Sequence, residues 1–272
     1  MVQLYSIIHK NYLKVKGYLL NLIDSSLQNI CNKVQITEQD REFKKFQHLI
    51  TVTNQAYLKI ALKEFSNLKQ HHADIAITSN FNFLMKLYNK HLKEHQVMFL
   101  LLNIFETAIR SKAVVELSKK YSTENYDNWL HNESLTPNKL KSPLKEAIKK
   151  IKQDNEDIEN FDSFQIFDYI MLGQLKAIYT DFWSDLSHLF EEKNVHGYYL
   201  PKLGRNKMKT MLDEIRKARN DNAHHKPFHK TRKRRHQIIE DIELILTHIG
   251  FNLHDAINNI DPSHRIIKLK YI

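Results

Sequence analysis

Residues 80–117 read NFNFLMKLYNKHLKEHQVMFLLLNIFETAIRSKAVVEL, and the spacing of their apolar residues indicates the architecture of the chain. Apolar residues recur at helical intervals in the first half, at Leu84, Leu87 and Leu92, and the second half contains the apolar segment Val97–Phe105. Thr78-Ser79-Asn80 supplies residue types that favour the start of a helix. We predict that a helix opens here and can continue through the apolar segment to Leu117.

The same helical spacing extends over most of the chain. Further helices are predicted over residues 4–30, from Thr37-Glu-Gln-Asp40 to Leu68, and over residues 144–151, 163–190, 207–217 and 238–249. The helix over 163–190 is strongly apolar, and Asp162 or Ser163 is predicted to cap it. Residues 122–143 are predicted to be a connection with Pro137 and Pro143 as breakers, and residues 196–204 are predicted to be a loop.

The chain contains only five glycines and five prolines, where average usage would give about 19 and 14. So few turn-forming residues argue against a β-sandwich, a β-barrel or a nucleotide-binding fold with glycine-rich loops. No candidate strands separate the predicted helices. The fold class is therefore predicted to be all-α.

A single cysteine, Cys31, excludes an intrachain disulfide and a cysteine-based zinc cluster, and it favours a reducing compartment. The apolar segment 97–105 is interrupted by Asn103 and is too short to span a bilayer. The first ten residues lack the basic, apolar and small-residue order of a signal peptide. We therefore expect a cytoplasmic protein without a membrane segment.

The positive charge of the chain is concentrated in residues 202–236. This window holds thirteen Lys and Arg residues against three acidic residues, so its net charge of +10 equals that of the whole chain, and the remainder has 28 charges of each sign. No amphipathic helix with aromatic anchors accompanies the window, which argues against a membrane surface. A polyanion such as a nucleic acid is the favoured partner.

Inside this window lies Arg219-Asn220-Asp221-Asn222-Ala223-His224-His225. An imidazole titrates near neutral pH and can transfer protons, while a guanidinium can hold a phosphate and the charge that develops on it. An arginine and a histidine five residues apart are common by chance in a chain with sixteen histidines. The pattern becomes more specific because Asn220, Ala223 and His225 occur together with Arg219 and His224.

This run resembles the R-N-x-x-A-H-H signature of the Abi-like (abortive-infection) branch of the HEPN superfamily, whose general motif is R-x4–6-H. Phe105-Glu106-Thr107-Ala108-Ile109-Arg110-Ser111 is similar to that branch's F-E-x-x-[LI]-R-[NS] helix. Met171-Leu172-Gly173-Gln174-Leu175, followed by Phe182-Trp183, gives a third similarity. The three matches follow the family's order and cover roughly residues 97–250.

The resemblance implies a HEPN-type helical bundle over residues 91–255, which follows an N-terminal helical extension over 1–90 and precedes a C-terminal tail over 256–272. It implies a homodimer that brings two R-x4-H motifs to one cleft. It also implies metal-independent RNA cleavage, in which the substrate's 2′-OH attacks the adjacent phosphate and leaves a 2′,3′-cyclic phosphate and a 5′-OH. No cofactor is expected.

Carried onto this chain, the resemblance assigns roles to individual residues. Arg219 would stabilise the pentacoordinate phosphate, His224 would transfer the proton and Asn220 would position the pair. Glu106 and Arg110 would support them from the facing helix, and His225 would be accessory. The backbone of the RNA would be gripped by basic residues of the window, namely Lys226, Lys230, Arg232, Lys233, Arg234 and Arg235.

One position departs from a related group. Toxins of the HEPN–nucleotidyltransferase pairs carry a tyrosine two residues after the histidine as an acceptor for nucleotide modification, whereas this chain has Lys226 there. A protein antitoxin that acts by that chemistry is therefore not expected. A noncoding-RNA antitoxin or inhibitor remains open, as does the choice between a standalone defence effector and one half of a toxin–antitoxin pair.

Two alternatives remain from other functional classes. The first is a non-catalytic protein whose HEPN fold docks a structured RNA. The second is a zinc peptidase, because His91-Leu92-Lys93-Glu94-His95 fits the inverted H-x-x-E-H motif, in which two histidines one helical turn apart hold zinc and Glu94 acts as base. No third ligand stands at a recognisable spacing, and an exposed polar turn is the simpler interpretation of these residues.

Overall fold

The computed structural model describes residues 28–30, 32–34, 41–71, 77, 79–123, 129–130, 134–154, 161–226, 232–263 and 265–271. The all-α prediction is confirmed, because these residues are mostly helical and contain one small two-stranded sheet. The chain divides into two compact units, 1–94 and 95–272, each with its own apolar core. Among the described helices, none is both long and apolar enough to cross a membrane.

The first unit contains helix α1 (Phe43–Val52), helix α2 (Gln55–His71) and the beginning of α3 (Asn80–Tyr121). The prediction of one continuous helix up to Leu68 is wrong at Thr53-Asn54. Thr53 adopts an extended backbone and its hydroxyl donates to the Leu49 carbonyl, while the Asn54 side chain accepts the Ala56 N–H and so begins α2. Of the predicted helix 4–30, only 28–30 lies within the described residues; Thr37-Glu-Gln-Asp40 lies outside them.

Helix α3 confirms the prediction from residues 80–117 and extends it to Tyr121, for a length of 42 residues. Its start is fixed locally, because the Asn82 N–H donates to the Ser79 hydroxyl at 3.1 Å. In the second unit, one face of α3 supplies buried residues at intervals of three and four, among them Met98, Leu101, Leu102, Phe105, Ile109, Ala113 and Leu117.

A series of shorter helices follows: a 3-10 turn at Asn138–Leu140, α4 (Lys141–Gln153), α5 (Ser163–Asp168), α6 (Leu172–Asp181), α7 (Trp183–Leu186) and a 3-10 turn at Ser187–Phe190. Pro143 does not break a helix as predicted. It stands in the first turn of α4, where no intrahelical N–H donor is required.

The predicted start at Asp162 is confirmed, because its carboxylate accepts the Gln165 N–H and Gln165 returns the bond in a capping box. The prediction of one helix over 163–190 is wrong. The chain leaves the helix after Asp168, and the Gln174 side chain accepts the Met171 N–H, so that a second helix begins at Leu172. This break leaves the Ile170 carbonyl available to Arg110, whose Nη2 donates to it at 3.2 Å.

Part of the predicted loop over 196–204 is instead a β-hairpin. Strand β1 (Lys193–Val195) pairs antiparallel with β2 (Tyr198–Leu200), with Val195 opposite Tyr198. The two turn residues His196 and Gly197 have φ of 52° and 84°. Positive φ at both central residues is typical of the tight turns that join twisted strands, and a histidine tolerates it less readily than asparagine or glycine.

Two long helices and a short one complete the second unit: α8 (Arg205–Ala223), α9 (Arg232–His248) and α10 (Leu253–Asn258). Helix α8 packs against α6 and α9, and it buries Met208, Leu212, Ile215 and Ala218. The tail is anchored to this unit, because the buried Glu243 of α9 accepts the N–H groups of Lys270 and Tyr271. Residues 256–272 therefore belong to the same compact unit as α9.

Candidate functional site

The motif of residues 219–225 ends helix α8. Ala223 is the last helical residue, His224 is the cap and its N–H donates to the Asn220 carbonyl at 3.1 Å. His225 has φ of 50°, its N–H donates to the Asn222 carbonyl, and the Lys226 N–H donates to the Asp221 carbonyl. This is the Schellman arrangement, with a histidine where glycine is usual. The backbone itself therefore fixes where His224 and His225 emerge.

A buried carboxylate connects this motif to helix α3. Glu106 is only 7% exposed, and it accepts hydrogen bonds from Arg110 Nη2 at 3.0 Å and from Arg219 Nε at 3.3 Å. A carboxylate with so little access to water is stabilised here by two guanidinium groups. The structure thus brings together Glu106, Arg110 and Arg219, which the sequence analysis grouped although Glu106 and Arg219 are 113 residues apart.

Arg110 extends the cluster to the junction of α5 and α6. Its Nη2 also donates to the Ile170 carbonyl at 3.2 Å, and its Nη1 lies 3.7 Å from a carboxylate oxygen of Asp168. Three parts of the second unit therefore meet at this side chain: α3, the α5–α6 junction and, through Glu106, helix α8. Arg219 is linked to Arg110 and to the α5–α6 junction through the hydrogen bonds of Glu106 and Arg110.

The groups proposed for chemistry remain accessible. The Arg219 side chain is 43% exposed and uses Nε for Glu106, while its terminal amino groups make no hydrogen bond to a described residue. Asn220 and His224 are exposed. The arrangement leaves one guanidinium edge, one amide and one imidazole available to a ligand at the end of α8.

The sequence analysis missed a buried pair behind the motif. Asn222 is 1% exposed, and its Nδ2 donates to both Nδ1 and the carbonyl oxygen of His95, each at 3.2 Å. The ring of His95 also lies 5.4 Å from that of His225. Because Nδ1 accepts a hydrogen bond, the proton of neutral His95 is on Nε2. The signal in the sequence was weak, since Asn222 occupies a variable position of the motif.

The environment of His95 favours its neutral form. Burial lowers the pKa of His95 below its ordinary value of 6.5, and the nearby His225 lowers the pKa further when it is charged. A neutral His95 can keep Nδ1 as an acceptor for Asn222. The turn that carries His224 and His225 is therefore supported by a neutral histidine and an amide.

The two histidines of the zinc-peptidase motif have separate partners. His91 Nε2 lies 2.8 Å from Glu64 and its Nδ1 lies 3.6 Å from Glu94, whereas His95 is held by Asn222. Among the residues that the structure describes, no three side chains of His, Cys, Asp or Glu come together as a metal ion would require. The described residues thus offer no third ligand for the peptidase alternative.

The basic residues assigned to the RNA backbone occupy different environments. Lys226 is exposed with Nζ 3.8 Å from Asp221, Lys233 is exposed, and Arg235 is half-buried. Arg234 donates to Glu214 of α8 at 2.7 Å, so it would have to exchange this partner to hold a phosphate. Lys230 and the side chain of Arg232 lie outside the described residues.

The candidate site thus consists of one half-exposed guanidinium held by a buried carboxylate and one exposed imidazole at the end of α8, and the exposed Lys226 follows directly in the sequence. Its geometry is compatible with binding of a phosphodiester, and an imidazole is a side chain that can transfer protons. Comparison of the chain with protein-family models, with curated proteins and with solved structures gives no match.

Proposed function

We propose that this protein is a HEPN-type, metal-independent endoribonuclease. The observation that carries the proposal is the hydrogen-bonded set Arg110–Glu106–Arg219, which joins the two motifs of the sequence into one site. A buried carboxylate that holds a half-exposed arginine positions that arginine before any ligand arrives, which is how electrostatic stabilisation of a transition state becomes effective. His224 stands one helical turn beyond Asn220, at the exposed end of the same helix.

In the proposed reaction the 2′-oxygen attacks the adjacent phosphorus and gives its proton to an imidazole. The bond from phosphorus to the 5′-oxygen breaks, and that oxygen takes a proton from an imidazolium or a water molecule. The products are a 2′,3′-cyclic phosphate and a 5′-OH, so the protons balance. His224 would transfer the proton, Arg219 would stabilise the charged phosphorane, and Asn220 would position these two side chains.

The biological setting is part of the same proposal. The protein would act in the cytoplasm as a homodimer, in which two copies of the motif share one cleft and the second His224 is available as the acid. It would be the effector of an abortive-infection or toxin–antitoxin system, acting on cellular or phage RNA. A noncoding RNA that occupies the basic surface would serve as antitoxin or inhibitor.

Cleavage is tested with purified wild-type protein, His224→Ala and Arg219→Gln on a mixed RNA pool, with and without EDTA. We expect wild type to produce fragments with cyclic phosphate ends at equal rates with and without EDTA, and each of the two variants to lose about a hundredfold or more in rate. His188→Ala, which replaces another exposed histidine, is the control and should cleave like wild type. Binding without cleavage by wild type would instead support the non-catalytic RNA-docking alternative.

A further inference from the structure

A cleft of about 390 Å³ opens beside Arg219, where α8 contributes Arg216, Arg219 and Asn220 to its wall. It lies between three elements of the second unit: α4, the first turn of α6, and α8. Its lining includes Lys150 from α4, Met171 and Gly173 from the start of α6, and Arg216, Arg219 and Asn220 from α8. The cleft thus shares Arg219 and Asn220 with the proposed catalytic site.

Positive charge predominates in the cleft. Lys150, Arg216 and Arg219 line it together with a single carboxylate, that of Glu146. Lys150 makes no ion pair with a described residue, and Arg216 reaches its nearest carboxylate, that of Asp213, only at 3.7 Å. Asp213 is itself held by Lys176 at 2.7 Å, so Arg216 is weakly neutralised.

The first turn of α6 adds to this field. The amide groups at the start of a helix have no intrahelical partners and carry partial positive charge. Here the Met171 N–H is bound by the Gln174 side chain and the Gln174 N–H by the Met171 carbonyl, so the contribution of this start comes from the N–H groups of Leu172 and Gly173, which line the cleft. Three cationic side chains and a helix start around one concavity form a surface that suits an anionic group.

The size and shape of the cleft limit what can enter. Its volume lies near the lower end of the range of about 300–1,000 Å³ that is typical of small-ligand sites, so it suits a single nucleotide rather than a duplex. Met171 is 56% exposed and gives the cleft an apolar surface against which a base can pack. Arg216, Asn220 and His224 follow at intervals of four along α8, so a chain of phosphates can continue from the cleft towards the helix end.

We propose that this cleft binds one unpaired nucleotide of the RNA, next to the phosphodiester that is cut. The inference rests on the proposed ribonuclease function and assigns its substrate class as single-stranded RNA. Arg216 and Lys150 hold the phosphate of the bound nucleotide, and Arg219 contacts both this nucleotide and the scissile phosphate. A base-paired nucleotide cannot enter such a concave site without being unpaired, so the cleft selects unpaired segments.

Gly173 provides a way to close the cleft. A Cβ at this position would meet only Cδ of Arg216, at 3.6 Å, which is an ordinary contact. Gly173→Ala therefore leaves the cleft open, whereas Gly173→Leu extends a side chain into it beside Arg216. Comparison of Gly173→Leu with Gly173→Ala therefore distinguishes the effect of filling the cleft from the effect of replacing a helical glycine.

Binding is measured by fluorescence anisotropy with a labelled 2′-O-methyl RNA, which lacks the attacking hydroxyl and cannot be cut. We expect Lys150→Gln, Arg216→Gln and Gly173→Leu each to weaken binding of the single strand by about three- to tenfold. The two charge variants should also reduce the slope of log Kd against log salt by about one each. Lys149→Gln on α4, Arg205→Gln on α8 and Gly173→Ala are the matched controls and should bind like wild type.

Duplex RNA of the same sequence distinguishes the cleft from general attraction to phosphates. Its affinity should change less than twofold in Gly173→Leu. Equal losses in cleft variants and controls, or equal losses for single strand and duplex, would overturn the assignment of the cleft. Because this assay needs no cleavage, its outcome is independent of the ribonuclease test, and circular dichroism melts confirm that each variant is folded.

Discussion

The side-chain amide of Asn222 donates to both Nδ1 and the carbonyl oxygen of His95, at 3.2 Å in each case. This contact joins the last turn of α8 to α3 directly beneath the turn of His224 and His225. Asn222→Ala removes both hydrogen bonds, so Nδ1 and the carbonyl oxygen of the buried His95 lose this donor. We expect the free energy of unfolding to fall by about 1–3 kcal/mol in urea titrations. Asn206→Ala, at an exposed position of the same helix, should change it by less than about 0.5 kcal/mol.

The lowered pKa of His95 predicts a loss of stability in acid. A histidine whose pKa is lower in the folded than in the unfolded chain contributes its full stabilisation above the unfolded value of 6.5 and loses it as the pH falls below that value. Protonation would also place a donor on Nδ1, where Asn222 needs an acceptor.

The contribution of His95 is measured as a difference between two proteins. Burial raises the pKa of Asp241 and of Glu243, which stabilises the folded chain in acid and opposes the effect of His95. Burial lowers the pKa of His248, which acts in the same direction as His95. We therefore expect wild type to lose stability relative to His95→Gln between pH 7 and pH 5. A difference that does not depend on pH would contradict the prediction.

The positive φ of His225 predicts an unusual order of substitutions. Glycine adopts φ of 50° without strain, whereas a β-branched residue does so only at considerable cost. His225→Gly should retain the wild-type free energy of unfolding within about 1 kcal/mol, because relief of strain offsets the loss of the contact with His95. His225→Val should lower it by more than His225→Gly does. Thermal melts of the two variants are the measurement, and a more stable valine variant would show that the Schellman turn is not as described.

The charge of Glu106 predicts linked losses of stability and activity. Glu106→Gln keeps the size of the side chain but removes the charge that holds Arg110 and Arg219. We expect a loss of about 1–3 kcal/mol in the free energy of unfolding, moderated by the 43% exposure of Arg219, and a fall in kcat on RNA. Glu240→Gln removes a negative charge at an exposed position and is the control for the loss of one charge. Unchanged kcat in a folded Glu106→Gln protein would remove Glu106 as a positioning residue.

The helical architecture was predictable where the physical cause is local. The period of apolar residues indicated α3, and a residue that favours helix capping, Asp162, marked the start of α5. The breaks at Thr53-Asn54 and before Leu172 were not apparent, because they depend on side chains that compete for backbone groups within an apolar pattern that continues across them. The hairpin was missed because His196-Gly197 resembles the usual turn pairs only partly.

The sequence indicated which residues form the candidate site, but it did not indicate the contacts that arrange them. The pairing of Glu106 with Arg219 agrees with the grouping that the resemblance suggested. The contact between Asn222 and His95 spans 127 residues and depends on how α8 packs against α3, which no local pattern encodes. The cleft beside Arg219 likewise results from three elements whose sequences are unremarkable when taken separately.

The interruption between α5 and α6 has a consequence for communication within the site. Because Nη2 of Arg110 donates both to the Ile170 carbonyl and to the Glu106 carboxylate, the α5–α6 junction and the carboxylate that holds Arg219 share one donor group. We expect a ligand that moves this junction to change the orientation of Arg219 as well, and any such coupling between the two would be reciprocal. Arg110→Met removes this shared donor, and we expect it to abolish the link between the α5–α6 junction and the orientation of Arg219.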